Sequence, residues 1–380
     1  MISRFLLLLL LISFTAYPQK KTEEIVSKKL NETRQITIVT PNLYETNKDK
    51  TYPLIVLLDG EYLVDIFSGV LSYTAYWDDL PQAIIVGINQ NKDEERYDDT
   101  QFDTENGVPL NKGNLFYEFI TAELLPYMEK NYRVSPFKVI AGHNITAGYI
   151  NFFLYKDNPP FNAYIAFSPE MAPEMENRVP QMAASLKKPI FYYLATADGD
   201  IKPIRENIKT LNENMKAVTN PAVRYFFNEY TDATHYSLVA HAVPDALYSI
   251  FSAYQPISSK EYQDKIVTLP SGYVKYLENR YQMIEKELGV KMPIRLNDFR
   301  AIEAAIMKNG AHDELRDLAK VAKKNYPKTI IGEYYEALYY EATGNYSRAK
   351  KAYLNSYTLQ DIGSYTKDYM MKKAESITVE

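Results

Sequence analysis

The chain has 380 residues, 46% hydrophobic and 24% charged, with a formal net charge of −5. This is ordinary globular composition, long enough for two domains or one large domain with an appendage. The mild acidity argues against nucleic acid as a partner, which usually needs a concentrated basic face.

The N-terminus places Arg4 ahead of the apolar run 5–14, followed by small and polar residues up to Pro18-Gln19. A charged start and an apolar run too short to span a bilayer with ease describe a signal peptide over 1–19, the alternative being a retained anchor. No later segment approaches about 18 consecutive apolar residues, so no membrane span is expected after cleavage. The expected location is the periplasm, the envelope surface or the medium. No cysteine is present, which excludes disulfides, zinc–thiolate sites, a cysteine nucleophile and a lipid-modified N-terminal cysteine. The 34 tyrosines read as surface and groove packing by a ring with a polar tip.

Over 20–255, short apolar runs alternate with longer amphipathic stretches. Strands are predicted at 36–39, 54–58, 83–88, 138–141, 163–167, 190–195 and 223–230, several of them continuous apolar runs as in strands covered on both faces. Helices are predicted at 115–128, 204–215 and 245–254. The alternation predicts an α/β fold built on a doubly wound, mostly parallel sheet. After Pro256 the pattern is helical throughout. Residues 256–300 read as a helical linker and 301–380 as a tetratricopeptide-like segment. Gly310 and Gly344 lie 34 residues apart, the period of that repeat. Ala337, Tyr340, Tyr346, Ala349 and Tyr353 occupy its small and aromatic packing positions. Such a segment is expected to dock a protein partner.

The chemistry centres on Gly142-His143-Asn144-Ile145-Thr146-Ala147-Gly148-Tyr149, which follows strand 138–141 and opens a helix. A nucleophile elbow reads Gly-x-Ser-x-Gly, with the serine held up on a strained strand-to-helix turn. Here Asn144 stands where the serine belongs, and Thr146 and Ala147 stand where glycines usually sit. Further matches follow in order: Tyr52-Pro53-Leu54, Leu57-Leu58-Asp59-Gly60-Glu61-Tyr62, Val86-Gly87-Ile88, Phe116, Glu123-Leu124-Leu125-Pro126-Tyr127, Asn131-Tyr132-Arg133 and Ser168-Pro169. Over about residues 34–254 the chain resembles the esterase family that includes esterase D and the enterochelin esterases, which implies an α/β-hydrolase fold.

The resemblance implies the site residues one at a time. His235 in Asp232-Ala233-Thr234-His235 would be the base, and the acid would be Asp198 or Asp200, with Asp198 weakly preferred. The oxyanion donors would be the backbone N–H of Ile145 and one near Gly60 and Glu61. Arg96 and Ser168 would face the pocket. His143 reads as a packing residue beside the nucleophile position. No HExxH, histidine cluster or EF-hand loop appears, so no metal and no cofactor is expected.

Asn144 has no ionisable hydroxyl or thiol and cannot form an acyl-enzyme at useful rates. Thr146, one turn into the helix, is expected to point away and bond its own backbone. Conversion of Asn144 to Asp would create a carboxylate nucleophile, although Ile145 should shield the backbone nitrogen and slow it. The sequence therefore reads as an exported esterase-fold protein without catalysis, binding a partner or a small ester-, peptide- or sugar-like ligand. The alternative is an active carboxylic ester hydrolase with a non-standard nucleophile.

Overall fold

A computed structural model describes residues 19–378, so the expected signal peptide lies, but for Gln19, outside the described residues. The chain divides into two compact units. The first runs to residue 252 and takes in 288–290, and the second comprises 253–287 and 291 onward.

The first unit is built on one eight-stranded sheet. Its strands are β1 (Gln19–Ser27), β2 (Glu32–Thr40), β3 (Tyr52–Leu57), β4 (Ile84–Ile88), β5 (Val134–His143), β6 (Ala163–Phe167), β7 (Ile190–Gly199) and β8 (Val223–Thr234). Their order across the sheet is β1-β2-β4-β3-β5-β6-β7-β8. β1 and β2 run antiparallel to their neighbours, and β3 through β8 are mutually parallel. Every residue of β3, β4 and β6 is buried, as apolar runs covered on both faces require. All seven predicted strands are present. β1 is an addition that apolar patterning does not reveal, because its sequence QKKTEEIVS is mostly polar. Charge on an edge strand guards its unpaired side.

The helices of this unit are α1 (Gly60–Tyr76), α2 (Glu95–Asp99), α3 (Lys112–Glu118), α4 (Leu125–Asn131), α5 (Ile145–Tyr149), α6 (Met175–Ser185), α7 (Lys202–Lys216) and α8 (Leu238–Ile250). The helix predicted at 115–128 is α3 and α4 joined through a π-helical stretch, Phe119–Leu124. Pro126 at the start of α4 has no N–H to donate, and the wider turn ahead of it absorbs the lost bond. The helix predicted at 245–254 starts earlier, at Leu238, and takes Pro244 inside it. One core joins Leu54, Val56, Ile140, Tyr164 and Tyr192 of the sheet to Phe116, Leu124, Val179 and Ile208 of the helices. On the other face α1 packs on β2, β4 and α8, and α8 on β6, β7 and β8.

An ion pair is fully buried in this unit. Arg34 of β2 is paired with Asp99, which is equally buried, and with Glu32 at 2.6 Å. Its guanidinium also lies 5.5 Å from the Phe116 ring. A buried ion pair is costly to break from one side, because the remaining charge is stranded away from water. Asp99→Ala should therefore lower the unfolding free energy by about 3 kcal/mol or more. The Arg34→Met/Asp99→Leu double variant should recover part of that loss in urea unfolding.

The second unit is helical, with a short turn α9 (Ser259–Glu261) followed by α10 (Tyr273–Leu288), α11 (Leu296–Asn309), α12 (Glu314–Asn325), α13 (Ile331–Ala342), α14 (Tyr346–Asn355) and α15 (Lys367–Ser376). Residues 256–300 thus carry α9, α10 and the start of α11. Consecutive helices from α11 to α15 pack on one another. Gly310 ends α11 with φ 68°, and Gly344 follows α13 with φ 74°. Ala337, Ala349 and Tyr353 are buried between these helices, whereas Tyr346 is half exposed.

Candidate active site

The site begins where β5 becomes α5 through one residue. Asn144 has φ 61° and ψ −121°, a strained conformation for a non-glycine residue that persists only where its surroundings hold it. Its N–H donates to Phe167 O at 3.0 Å, and its carbonyl accepts from Gly148 N and Glu170 N, each at 3.0 Å. Two glycines make the crossing possible. A Cβ on Gly142 would lie 2.7 Å from Thr146 C, and one on Gly148 would lie 1.8 Å from Glu170 O. The second close approach therefore falls at Gly148, which frees position 146 for a side chain. Thr146 is buried, accepts from His143 N at 2.9 Å and donates to Asp59 Oδ2 at 2.6 Å. It points away from the tip and is no substitute nucleophile.

His235 follows the end of β8 and reaches the same end of the sheet. Its Nδ1 lies 2.7 Å from Asp200 Oδ1. Asp200 also accepts from Ser168 Oγ at 2.7 Å, Thr196 Oγ1 at 2.8 Å and Ile201 N at 2.8 Å. Burial alone would raise this carboxyl, but the hydrogen bonds from His235, Ser168, Thr196 and Ile201 outweigh it and hold it at about 2. An ionised Asp200 keeps the proton on His235 Nδ1 and leaves Nε2 as the basic nitrogen.

The preference for Asp198 is corrected here. β7 extends through Gly199, so Asp198 still lies in the strand, exposed, where it accepts from Asp232 N at 3.1 Å. The chain turns inward only at Asp200. Ser168 is likewise not pocket-lining. It is fully buried with φ 45°, and its hydroxyl sits 3.0 Å from His235 Nδ1. That nitrogen holds the proton shared with Asp200, so His235 cannot deprotonate Ser168.

Behind the tip, His143 Nε2 lies 3.0 Å from the His235 carbonyl and its Nδ1 lies 3.1 Å from Tyr62 OH. A carbonyl only accepts, so Nε2 carries the proton and Nδ1 accepts from the tyrosine. Burial, and then the neighbouring His235, lower the His143 pKa to about 4. Arg96 is drawn away from the pocket it was expected to face. It pairs with Asp59 and donates from Nη2 to His143 O at 3.0 Å, bracing the back of the turn.

Gly60 and Glu61 begin α1, and Ile145 begins α5. The first N–H groups of a helix have no intrahelical acceptor, which is the state an oxyanion donor requires. The Glu61 carboxylate itself accepts from Asn91 N at 2.7 Å. Sequence reasoning missed Asp59, Tyr62, Thr196 and Glu170. Asp59 shows a local signal as the residue between a strand and a helix. Glu170 approaches Asn144, with its Oε2 3.4 Å from Nδ2, only because β6 lies beside β5.

The sheet, the one-residue strand–helix turn and the His–Asp pair define an α/β-hydrolase of the esterase type. Residues 27–219 match the family described as "Putative esterase", just over half of the chain, and the protein belongs to that family. No curated protein matches the sequence. Among solved structures, an uncharacterised protein from Capnocytophaga ochracea is similar at 29% identity and a TM-score of 0.84, over 94% of this chain and 99% of that one. An IroE-like serine hydrolase from Shewanella oneidensis is similar at 19% identity and a TM-score of 0.61, over 80% and 99%. The BES protein from Bacillus cereus is similar at 21% identity and a TM-score of 0.52, over 60% and 93%. The last two share the fold.

His143 makes the site sensitive to acid. Unfolded, it takes up a proton near 6.5, and folded only near 4. Across that window the unfolded chain binds more protons, so stability falls as pH drops, by about 3 kcal/mol in full. His143→Gln should remove that part of the slope. Urea unfolding between pH 7 and pH 4 reads it, and parallel slopes for the two proteins would contradict the assignment.

Proposed function

We propose that this chain is an exported esterase-fold protein that is catalytically silent as encoded and serves the cell envelope by binding. The observation that carries the reading is Asn144 at the tip of the elbow, with an intact His235–Asp200 pair at the same end of the sheet. The elbow presents a side chain that can neither lose a proton nor leave an acyl-enzyme behind, whereas the base that would serve a serine remains assembled. Removing a triad serine typically leaves only the residual rate from binding and the oxyanion donors.

Two clefts support binding. One of about 610 Å³ lies beyond the carboxyl end of β4, beside β1 and β2, lined by Glu24, Gln35, Glu61, Asn89, Asn91 and Glu95. Ligands of open α/β sheets bind at such carboxyl ends, and amides with carboxylates suit a sugar- or peptide-like ligand rich in hydrogen bonds. The other, about 490 Å³ in the helical unit, is lined by Arg300, Glu303, Met307, Tyr334, Tyr365 and Tyr369. Its residues come from α11, α13 and the region of α15. Alternate helices lining one groove is the arrangement expected of a repeat that docks a protein partner. Export rests on Arg4 and the apolar run 5–14, with a chain free of cysteine.

A second reading, an active carboxylic ester hydrolase with a non-standard nucleophile, is favoured by the retained His235–Asp200 pair, whose Nε2 could activate water. Hydrolysis of short-chain chromogenic esters separates the two. Freshly prepared wild type should stay at background, and Asn144→Ser should gain turnover by about 10³-fold or more. His235→Ala in that background should abolish the gain. Wild-type turnover lost in His235→Ala and unchanged in Asn144→Ala would support the second reading.

A further inference from the structure

We infer that Asn144 is a site of fold-driven covalent conversion, poised to cyclise onto the backbone nitrogen of Ile145 and reopen as aspartate. The inference rests on the same elbow position as the proposed function, but it is read by mass rather than by turnover.

The first support is backbone geometry. A five-membered ring closes only when the next residue's nitrogen eclipses Cβ about the Cα–C bond. Substituents on a tetrahedral Cα lie a third of a turn apart, so in an L residue this eclipse falls within a few degrees of the ψ of −121° found at Asn144. An ordinary chain visits that conformation rarely, being confined to the α and β regions. In this fold the conformation is permanent.

The second support is electronic. Ring closure requires Ile145 N to shed its proton, leaving negative charge shared with the Asn144 carbonyl oxygen. That oxygen already accepts two hydrogen bonds, from Gly148 N and Glu170 N, each at 3.0 Å. Donors aimed at the atom where charge develops lower the barrier to its development. Ile145 is the first residue of α5, so no intrahelical bond holds its own N–H.

The third support is access. Asn144 and Ile145 are only partly buried, so water can enter and ammonia can leave. Glu170 Oε2, 3.4 Å from the Asn144 amide nitrogen, accepts from the group that departs. The branched side chain of Ile145 is the feature expected to slow the reaction in an unfolded chain. Once the turn is built, the approach no longer depends on a search past that side chain.

The steps balance without an oxidant or reductant. Ile145 N gives its proton to water and attacks Asn144 Cγ. The Cγ–Nδ2 bond breaks and ammonia leaves with the proton returned to it, giving a succinimide. Water then adds to the Cγ carbonyl, the Cγ–N bond to Ile145 breaks with a proton going to that nitrogen, and residue 144 becomes aspartic acid. The net change is amide plus water to acid plus ammonia. The product places a carboxylate, a competent covalent nucleophile, on an elbow that retains His235 and Asp200.

The test ages folded wild-type protein and a synthetic 140–150 peptide in the same buffer and follows the residue 144 peptide by mass spectrometry. Conversion in the folded protein should be at least about tenfold faster than in the peptide, the modest end of what pre-set orientation supplies. Equal or slower conversion in the folded protein overturns the inference. Hydroxylamine should cleave aged protein between residues 144 and 145 by trapping the ring. A mass gain at residue 144 without that cleavage would mean direct hydrolysis and would overturn the cyclisation. Asn144→Gln, which would need a larger ring, should show neither change. Turnover by the fresh protein would defeat the proposed silence and leave this result standing.

Discussion

The site depends on a single constraint, the reversal of β5 into α5 through one residue. A Cβ on Gly142 would strike the first turn of α5 and one on Gly148 would strike the Glu170 backbone, so both positions are bare and Asn144 takes up the strain. Three backbone hydrogen bonds, one to Phe167 and two from Gly148 and Glu170, hold the turn against relaxation. Buried polar groups hold it from behind. Thr146 bonds Asp59, Asp59 pairs with Arg96, and Arg96 returns to the His143 carbonyl. In such a closed circuit each group satisfies another, which is what makes burial of so much polarity tolerable.

Around the turn, each titratable group has a state set by its neighbours. Asp200 stays ionised because four donors converge on it. His143 stays neutral because it is buried beside a second imidazole and is needed as both donor and acceptor. A His235–Asp200 pair is thus built, oriented and shielded, while the tip of the turn carries an amide. That contrast between supporting structure and tip is what the proposed silence and the proposed conversion both draw on. The one concerns the amide as encoded, the other what the backbone beneath it favours.

The sequence carried the central architecture. Parallel strands covered on both faces must be apolar on every residue, so the runs in β3, β4 and β6 could not be mistaken for amphipathic helices. The glycines, the apolar strand and the helix start marked the elbow and put Asn144 at its tip. His235 was legible through the family resemblance, which implies a base just beyond the last strand. Less legible were elements with no apolar signature. β1 is charged, and its place comes from hydrogen bonds to β2 rather than from a buried face.

What local sequence determined, then, was which segments are strands and helices, where the reversal lies, and that no side chain at its tip can serve as an ordinary nucleophile. Only the tertiary structure decided between Asp198 and Asp200, because the choice turns on where β7 stops pairing with β8 and the chain bends inward. Only it moved Arg96 and Ser168 from an open pocket to the back of the site, since their partners Asp59 and Asp200 lie just beyond the ends of β3 and β7, far away in the chain. And only it revealed the set of ψ at Asn144. Periodicity reports which face a residue shows, whereas partners and strained backbone angles are set by contacts between segments far apart in the chain.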